Sequence, residues 1–168
     1  MELDLTDAVE ADTDPLLLWG RMLEASAVGG FLGGHATDVR ALDCSGAAPA
    51  DGHTFRIKGV GGGVYHARID QRTEHAMVSY VVWSEKTPEV TILLTYAIDD
   101  CDGRTVLSGA VSMDMPLEEV LDSFGALGLI MKPIASGFAK RYMLRQLRKQ
   151  LLAMASRPGA SQDGRSTP

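Results

Sequence analysis

Cysteine, basic charge and long apolar runs are all scarce in this sequence. Its 168 residues include two cysteines, Cys44 and Cys101, too few for a disulfide framework and without metal-ligand spacing. Neither has an activating base beside it in sequence, so each reads as a small buried or edge residue rather than a nucleophile. Lys and Arg number 16 against 22 Asp and Glu, a formal net charge of −6. That balance excludes general nucleic-acid binding, which needs basic surface to displace counterions. No run of eighteen apolar residues occurs, so no integral membrane span is expected. The amino terminus alternates acidic and apolar residues and lacks the basic-then-apolar layout of a signal peptide. The four histidines, His35, His53, His66 and His75, form no HxH, HxxxH or HExxH pair, so neither a metal nor another cofactor is expected. A cytoplasmic, reduced protein is the simplest reading.

What is present suits one globular domain. Hydrophobic residues make up 45 % of the chain, enough for a sizeable core and too many for a disordered protein. Leu3, Leu5 and Val9 alternate with Glu2, Asp4 and Glu10, the pattern of a half-buried strand. Asp14 and Pro15 then open a helix carrying Leu16, Leu17, Trp19 and Leu23. It is expected to stop before Gly29 and Gly30, with one further helical turn around Phe31. Strands are predicted over residues 37–44, 53–58, 64–71, 75–84, 90–99 and 104–114, with spacings short enough for consecutive antiparallel hairpins. From Pro116 to about Ala155 the pattern is helical, and residues 156–168 read as a disordered tail after a domain spanning 1–155.

Turn chemistry fixes the register. A two-residue turn at Asp102 and Gly103 sets Ile98 opposite Leu107, Tyr96 opposite Gly109, Leu94 opposite Val111 and Ile92 opposite Met113. All eight then share one apolar face. Ile57 and Tyr65 share a face with Phe55, Ala67 and Ile69, while Arg56, His66 and Arg68 point the other way. The strand at 75–84 is apolar on both faces. A turn at Thr73 and Glu74 places Val78, Tyr80 and Val82 beside Tyr65 and Ile69, and a one-residue slip substitutes Met77, Ser79, Val81 and Trp83.

An apolar sheet face needs a covering layer. The C-terminal helix offers Phe124, Met131, Phe138 and Tyr142, with small residues before Phe138 that leave space for tight packing or for a pocket.

The order of strand, short helices, six strands and long helix resembles the START-like superfamily, also called SRPBCC or helix-grip proteins, with its polyketide cyclase and lipid-carrier branches. The resemblance covers about residues 2–155. It rests on the opening strand leading to Asp14, Pro15 and Trp19, and on the closing strand leading through Met115 and Pro116 to the basic helix. It implies an α+β helix-grip fold, a curved seven-stranded antiparallel sheet wrapped around the last helix, with two short helices after the first strand. Plant members carry a glycine-rich loop between their second and third strands, and residues 45–52 depart from it.

The implied activity is binding or transport of a hydrophobic small molecule, such as a lipid or polyketide, in a cavity between sheet and helix. Phe55, Ile57, Ile92, Leu94, Leu107, Val111, Met113, Phe124, Met131 and Phe138 would form the wall, and the hydroxyls of Tyr65, Tyr80 and Tyr96 would orient the ligand. A cyclase or aromatase using the same cavity is the first alternative. Arg68 is the nearest polar candidate for it but points outward, and no histidine or carboxylate is predicted inside as a base, so no catalytic residue is assigned.

The second alternative is an interaction module. Between Asp122 and Asp163 there is no acid, while seven cations occur there, and six acids crowd the first fourteen residues. Helix-dipole complementarity and a solvated face are one reading of this. A weak contact to an anionic membrane or a protein through Lys140, Arg141, Arg145 and Arg148 is the other reading, with Leu144, Leu147 and Leu151 as its apolar stripe.

The glycine segment at 59–63 lacks the phosphate-loop pattern and reads as a hairpin connection.

Overall fold

The computed structural model describes residues 2–32, 38–41, 51–58, 63–86, 88, 90–114 and 126–156, with the backbone alone at 2, 38–41, 114, 126–136 and 139. The first strand, β1 (Glu2–Glu10), leads to helices α1 (Pro15–Met22) and α2 (Ala25–Phe31). Strands β2 (Asp38–Ala41), β3 (Thr54–Lys58), β4 (Val64–Thr73), β5 (Met77–Ser84), β6 (Thr91–Cys101) and β7 (Arg104–Asp114) follow. Helix α3 (Ala126–Ala155) closes the chain. The strands form an open antiparallel sheet in the order β1-β7-β6-β5-β4-β3-β2. The expected α+β class, antiparallel sheet and C-terminal helix are therefore observed.

The β6–β7 register follows from its turn. Asp102 (φ 55°) and Gly103 (φ 75°) both adopt positive φ, the backbone that two-residue hairpins require. Cys101 then pairs with Arg104, and Ile98, Tyr96, Leu94 and Ile92 meet the four predicted partners. Ile57 likewise opposes Tyr65, and Phe55 opposes Ala67.

The β4–β5 hairpin is turned differently from the expectation. Glu74, His75 and Ala76 form the turn, with Thr73 opposite Met77 and His75 at φ 59°. That change by itself exchanges the two faces of β5. A register shift between Ile69 and Gln71 changes them back, so Ile69 opposes Tyr80 and Ala67 opposes Val82. Val78, Tyr80 and Val82 are consequently buried, and Trp83 stacks on His66 from the other face, 5.5 Å between centroids.

The helical excursion also needs correction. Asp14 caps α1 as predicted, its carboxylate accepting from the amides of Leu16 (2.9 Å) and Leu17 (3.4 Å). Leu18, Trp19 and Met22 form the buried stripe of α1, with Leu23 just beyond its end, whereas Leu16 and Leu17 are exposed. The break falls at Leu23 and Glu24, where Glu24 is extended (ψ 145°). Gly29 and Gly30 lie inside α2 instead of ending a helix, and at Gly30 the Gln150 side chain of α3 occupies the place of a Cβ. A Cβ on Gly30 would fall 1.7 Å from Gln150 Oε1.

Candidate functional site

The inner face of the sheet is built by alternation along each strand. Phe55 and Ile57 of β3, Ala67 and Ile69 of β4, and Val78, Tyr80 and Val82 of β5 are all buried on it. Leu94 and Tyr96 of β6 and Leu107, Val111 and Met113 of β7 continue the layer, with Ile92 and Tyr65 half-buried at its margins. Ten of the thirteen predicted wall residues are thereby brought to one apolar surface. Phe124 lies outside the described residues, as does the side chain of Met131. Phe138 is 73 % exposed and contributes nothing to the buried layer.

Helix α3 packs on this sheet chiefly along β1 and β7, and on α2. Its anchors are Leu147, Leu151 and Met154, all buried. Leu147 and Leu151 therefore belong to the core and cannot serve as an outward apolar stripe. Gly109 makes their approach feasible, since a Cβ there would meet Leu147 Cδ1 at 2.8 Å and Leu151 Cδ2 at 3.1 Å. A glycine inside a strand is the sequence signal for such an approach. At the far end of α3, Arg21 donates to the carbonyls of Met154 and Ser156 (2.7 Å to the latter), and Thr13 Oγ1 donates to Ala155 O at 2.8 Å. These side chains satisfy carbonyls that a helix end leaves without partners. Gln150 Nε2 donates to Ser26 O at 3.3 Å, tying α2 to α3.

Tyr80 and Tyr96 do not offer their hydroxyls to the layer between sheet and helix. Tyr80 donates to Met22 O at the end of α1, and Tyr96 donates to Ala27 O in α2 at 2.9 Å. Burial raises the pKa of both phenols well above the ordinary range, with the neighbouring Tyr80 adding to the effect at Tyr96. Both hydroxyls act as protonated donors that pin the short helices over the sheet.

His53 is the polar group that sequence reasoning missed. Its carbonyl accepts from Ile69 N at 2.9 Å, extending the β3–β4 ladder by one residue. Its parity is that of Phe55 and Ile57, so it joins the inner layer, and its ring packs 4.8 Å from that of Phe55. Nε2 is buried without a hydrogen-bond partner. The signal was its odd number in the 53–55–57 alternation, obscured by its place at the strand's end.

The outer face carries different chemistry. His66 Nε2 lies 2.9 Å from Glu85 Oε1, with Arg56 3.5 Å from the same oxygen. The His66 hydrogen bond, followed by the Arg56 charge, lowers the pKa of Glu85. Arg68 points outward and pairs with Asp70 at 3.6 Å. Thr6, Ala8, Thr95, Ala97, Ser108 and Ala110 line a shallow groove of about 440 Å³, on the opposite side of the sheet from α3. Cys101 is exposed, whereas Cys44 and His35 lie outside the described residues. Among the described residues no helix is long and apolar enough to cross a membrane.

No protein-family model matches this chain, and no curated protein matches it. Solved structures do. A protein of unknown function from Staphylococcus aureus, SA2116, is similar with a TM-score of 0.62 at 10 % identity, over 92 % of this chain and 94 % of the other. Truncated norcoclaurine synthase from Thalictrum flavum is similar with a TM-score of 0.54 at 12 % identity, over 90 % and 94 %. Ara h 8.0201 is similar with a TM-score of 0.52 at 12 % identity, over 91 % and 99 %. These likenesses show the fold alone, a helix-grip, Bet v1-like arrangement.

Proposed function

We propose that this protein, a START-like helix-grip chain whose sheet wraps around α3, binds a hydrophobic small molecule of lipid or polyketide type between the two. This reading rests on the apolar inner face over β3 to β6, which lies beyond the contact of α3 with β1 and β7 and is partly covered by α1 and α2. Ten of the residues named from sequence lie on the inner face of the sheet and form the proposed wall. With the hydroxyls of Tyr80 and Tyr96 committed to helix carbonyls, affinity comes from apolar area. At about 25 cal/mol per Å², about 300 Å² of ligand surface supplies about 7 kcal/mol before the cost of immobilisation. His53 Nε2 then provides a polar contact that orients a ligand hydroxyl or carbonyl.

The same nitrogen is the specific feature that favours a cyclase as the second reading, in which it takes a proton from the substrate. Binding without chemistry is preferred, because the neighbouring phenols are held protonated and add no second base.

Titration with an environment-sensitive naphthyl dye tests the proposal. Saturable binding, displaced by a long-chain fatty acid or an aromatic polyketide, is expected. Ala67→Leu should fill the proposed ligand space over the middle of β4 and block the dye with little loss of stability. Unchanged dye binding together with a loss of about 2 kcal/mol of stability would mean that a packed core occupies that space.

A further inference from the structure

Helix α3 uses one side for the core and leaves the opposite side bare. At about 100° per residue, the side opposite Leu147 and Leu151 carries Phe138, Tyr142, Arg145, Lys149 and Leu152, spaced alternately four and three apart. Its apolar members stand out of the protein, with Phe138 73 %, Tyr142 50 % and Leu152 48 % exposed. Arg141 borders the same strip and is also exposed.

Charge is divided in the same way. Residues 126–156 hold six cations and no acid, leaving ten cations against 22 acids elsewhere, so the net −6 consists of +6 on this helix and −12 on the rest. Arg148 is paired with Asp7, 3.2 Å away. Among the described residues, Arg141, Arg145 and Lys149 have no acidic partner. A solvated face needs the cations but not the exposed rings, and helix-dipole complementarity accounts for neither.

We propose that this face of α3 docks on an anionic lipid surface. Phe138, Tyr142 and Leu152 enter the headgroup boundary, and Arg141, Arg145 and Lys149 meet lipid phosphate and carboxylate groups. The apolar side chains between the cations favour a lipid surface over a nucleic acid or a uniformly acidic polypeptide, because the bilayer boundary sets hydrocarbon beside anionic headgroups. The −12 remainder is repelled by the same surface and orients the molecule with α3 towards it. This goes beyond ligand binding and stands without it.

Flotation of the full chain with vesicles is the test. Binding to phosphatidylcholine vesicles containing about 30 mol % phosphatidylserine should be at least about tenfold tighter than to phosphatidylcholine alone. Raising salt from about 0.1 M to about 0.5 M should weaken it several-fold. The combined R141E, R145E and K149E substitutions alter exposed side chains, so thermal unfolding should be preserved while flotation is lost. Phe138→Trp should give blue-shifted emission that brominated lipid quenches, against a baseline from Trp19 and Trp83. Absent flotation, equal flotation on neutral vesicles, or flotation that survives the triple reversal would overturn the proposal. Capture by an acidic polypeptide without flotation would overturn it in favour of a protein partner.

Discussion

Gly109 faces Leu147 so closely that a Cβ on the glycine would come within 2.8 Å of the leucine Cδ1. The seam between β7 and α3 is therefore set at one residue of the sheet. Its depth determines where helix and sheet are in contact and where the apolar face continues past them.

Gly109→Ala should lower stability by about 1–2 kcal/mol, since Leu147 and Leu151 are both buried and must shift. Gly30→Ala should cost much less. There the obstacle is the flexible end of Gln150, and alanine regains about 1 kcal/mol of helix propensity. Urea denaturation of the two variants side by side checks the order.

Removing the Arg21 side chain should release the end of α3. Arg21→Ala leaves the carbonyls of Met154 and Ser156 without this donor, at a cost of about 1–2 kcal/mol. Hydrogen exchange should quicken over the last turns of α3 while amides of β6 and β7 stay protected.

Alkaline pH should destabilise the fold through Tyr80 and Tyr96. Both folded-state pKa values are raised by burial, so their contribution is fully present below the unfolded phenol value of about 10. Above it the unfolded chain loses protons that the folded chain keeps. Stability should then fall by about 1.4 kcal/mol per pH unit for each of the two phenols, until the folded phenols themselves ionise. Tyr96→Phe should lose about 1 kcal/mol at neutral pH, with the bond to Ala27 O, and halve this alkaline slope. Denaturation midpoints from about pH 9 to about pH 11 test the sign.

His53→Leu should separate stability from binding. Replacing a buried, unpartnered nitrogen with an apolar group should leave stability unchanged or raise it by about 1 kcal/mol. Affinity for a ligand with a polar end should fall roughly tenfold, while a purely apolar ligand should be unaffected. Calorimetric titration with both ligand types checks this.

The sheet was legible because its information is local. A two-residue turn and a period of two determine the Ile92–Met113 pairing without reference to the rest of the chain. The inner wall followed from the same parity, and even the unforeseen turn at His75 left it intact because the shift near Ile69 compensated. What escaped depends on contacts between distant segments. Gly30 looks like a helix end until Gln150, 120 residues later, is seen to occupy the space of its side chain. Tyr80 and Tyr96 look like ligand contacts until the carbonyls of Met22 and Ala27 take their hydroxyls. Leu147 and Phe138 are apolar residues of one helix, and only the position of the sheet decides that the first is buried and the second exposed.

Native mass spectrometry of freshly purified full-length chain, followed by denaturing extraction, tests the binding reading most directly. A stoichiometric apolar molecule released from the protein, or thermal stabilisation by members of a hydrophobic panel, is the predicted result. An empty protein that no member of the panel stabilises would contradict it.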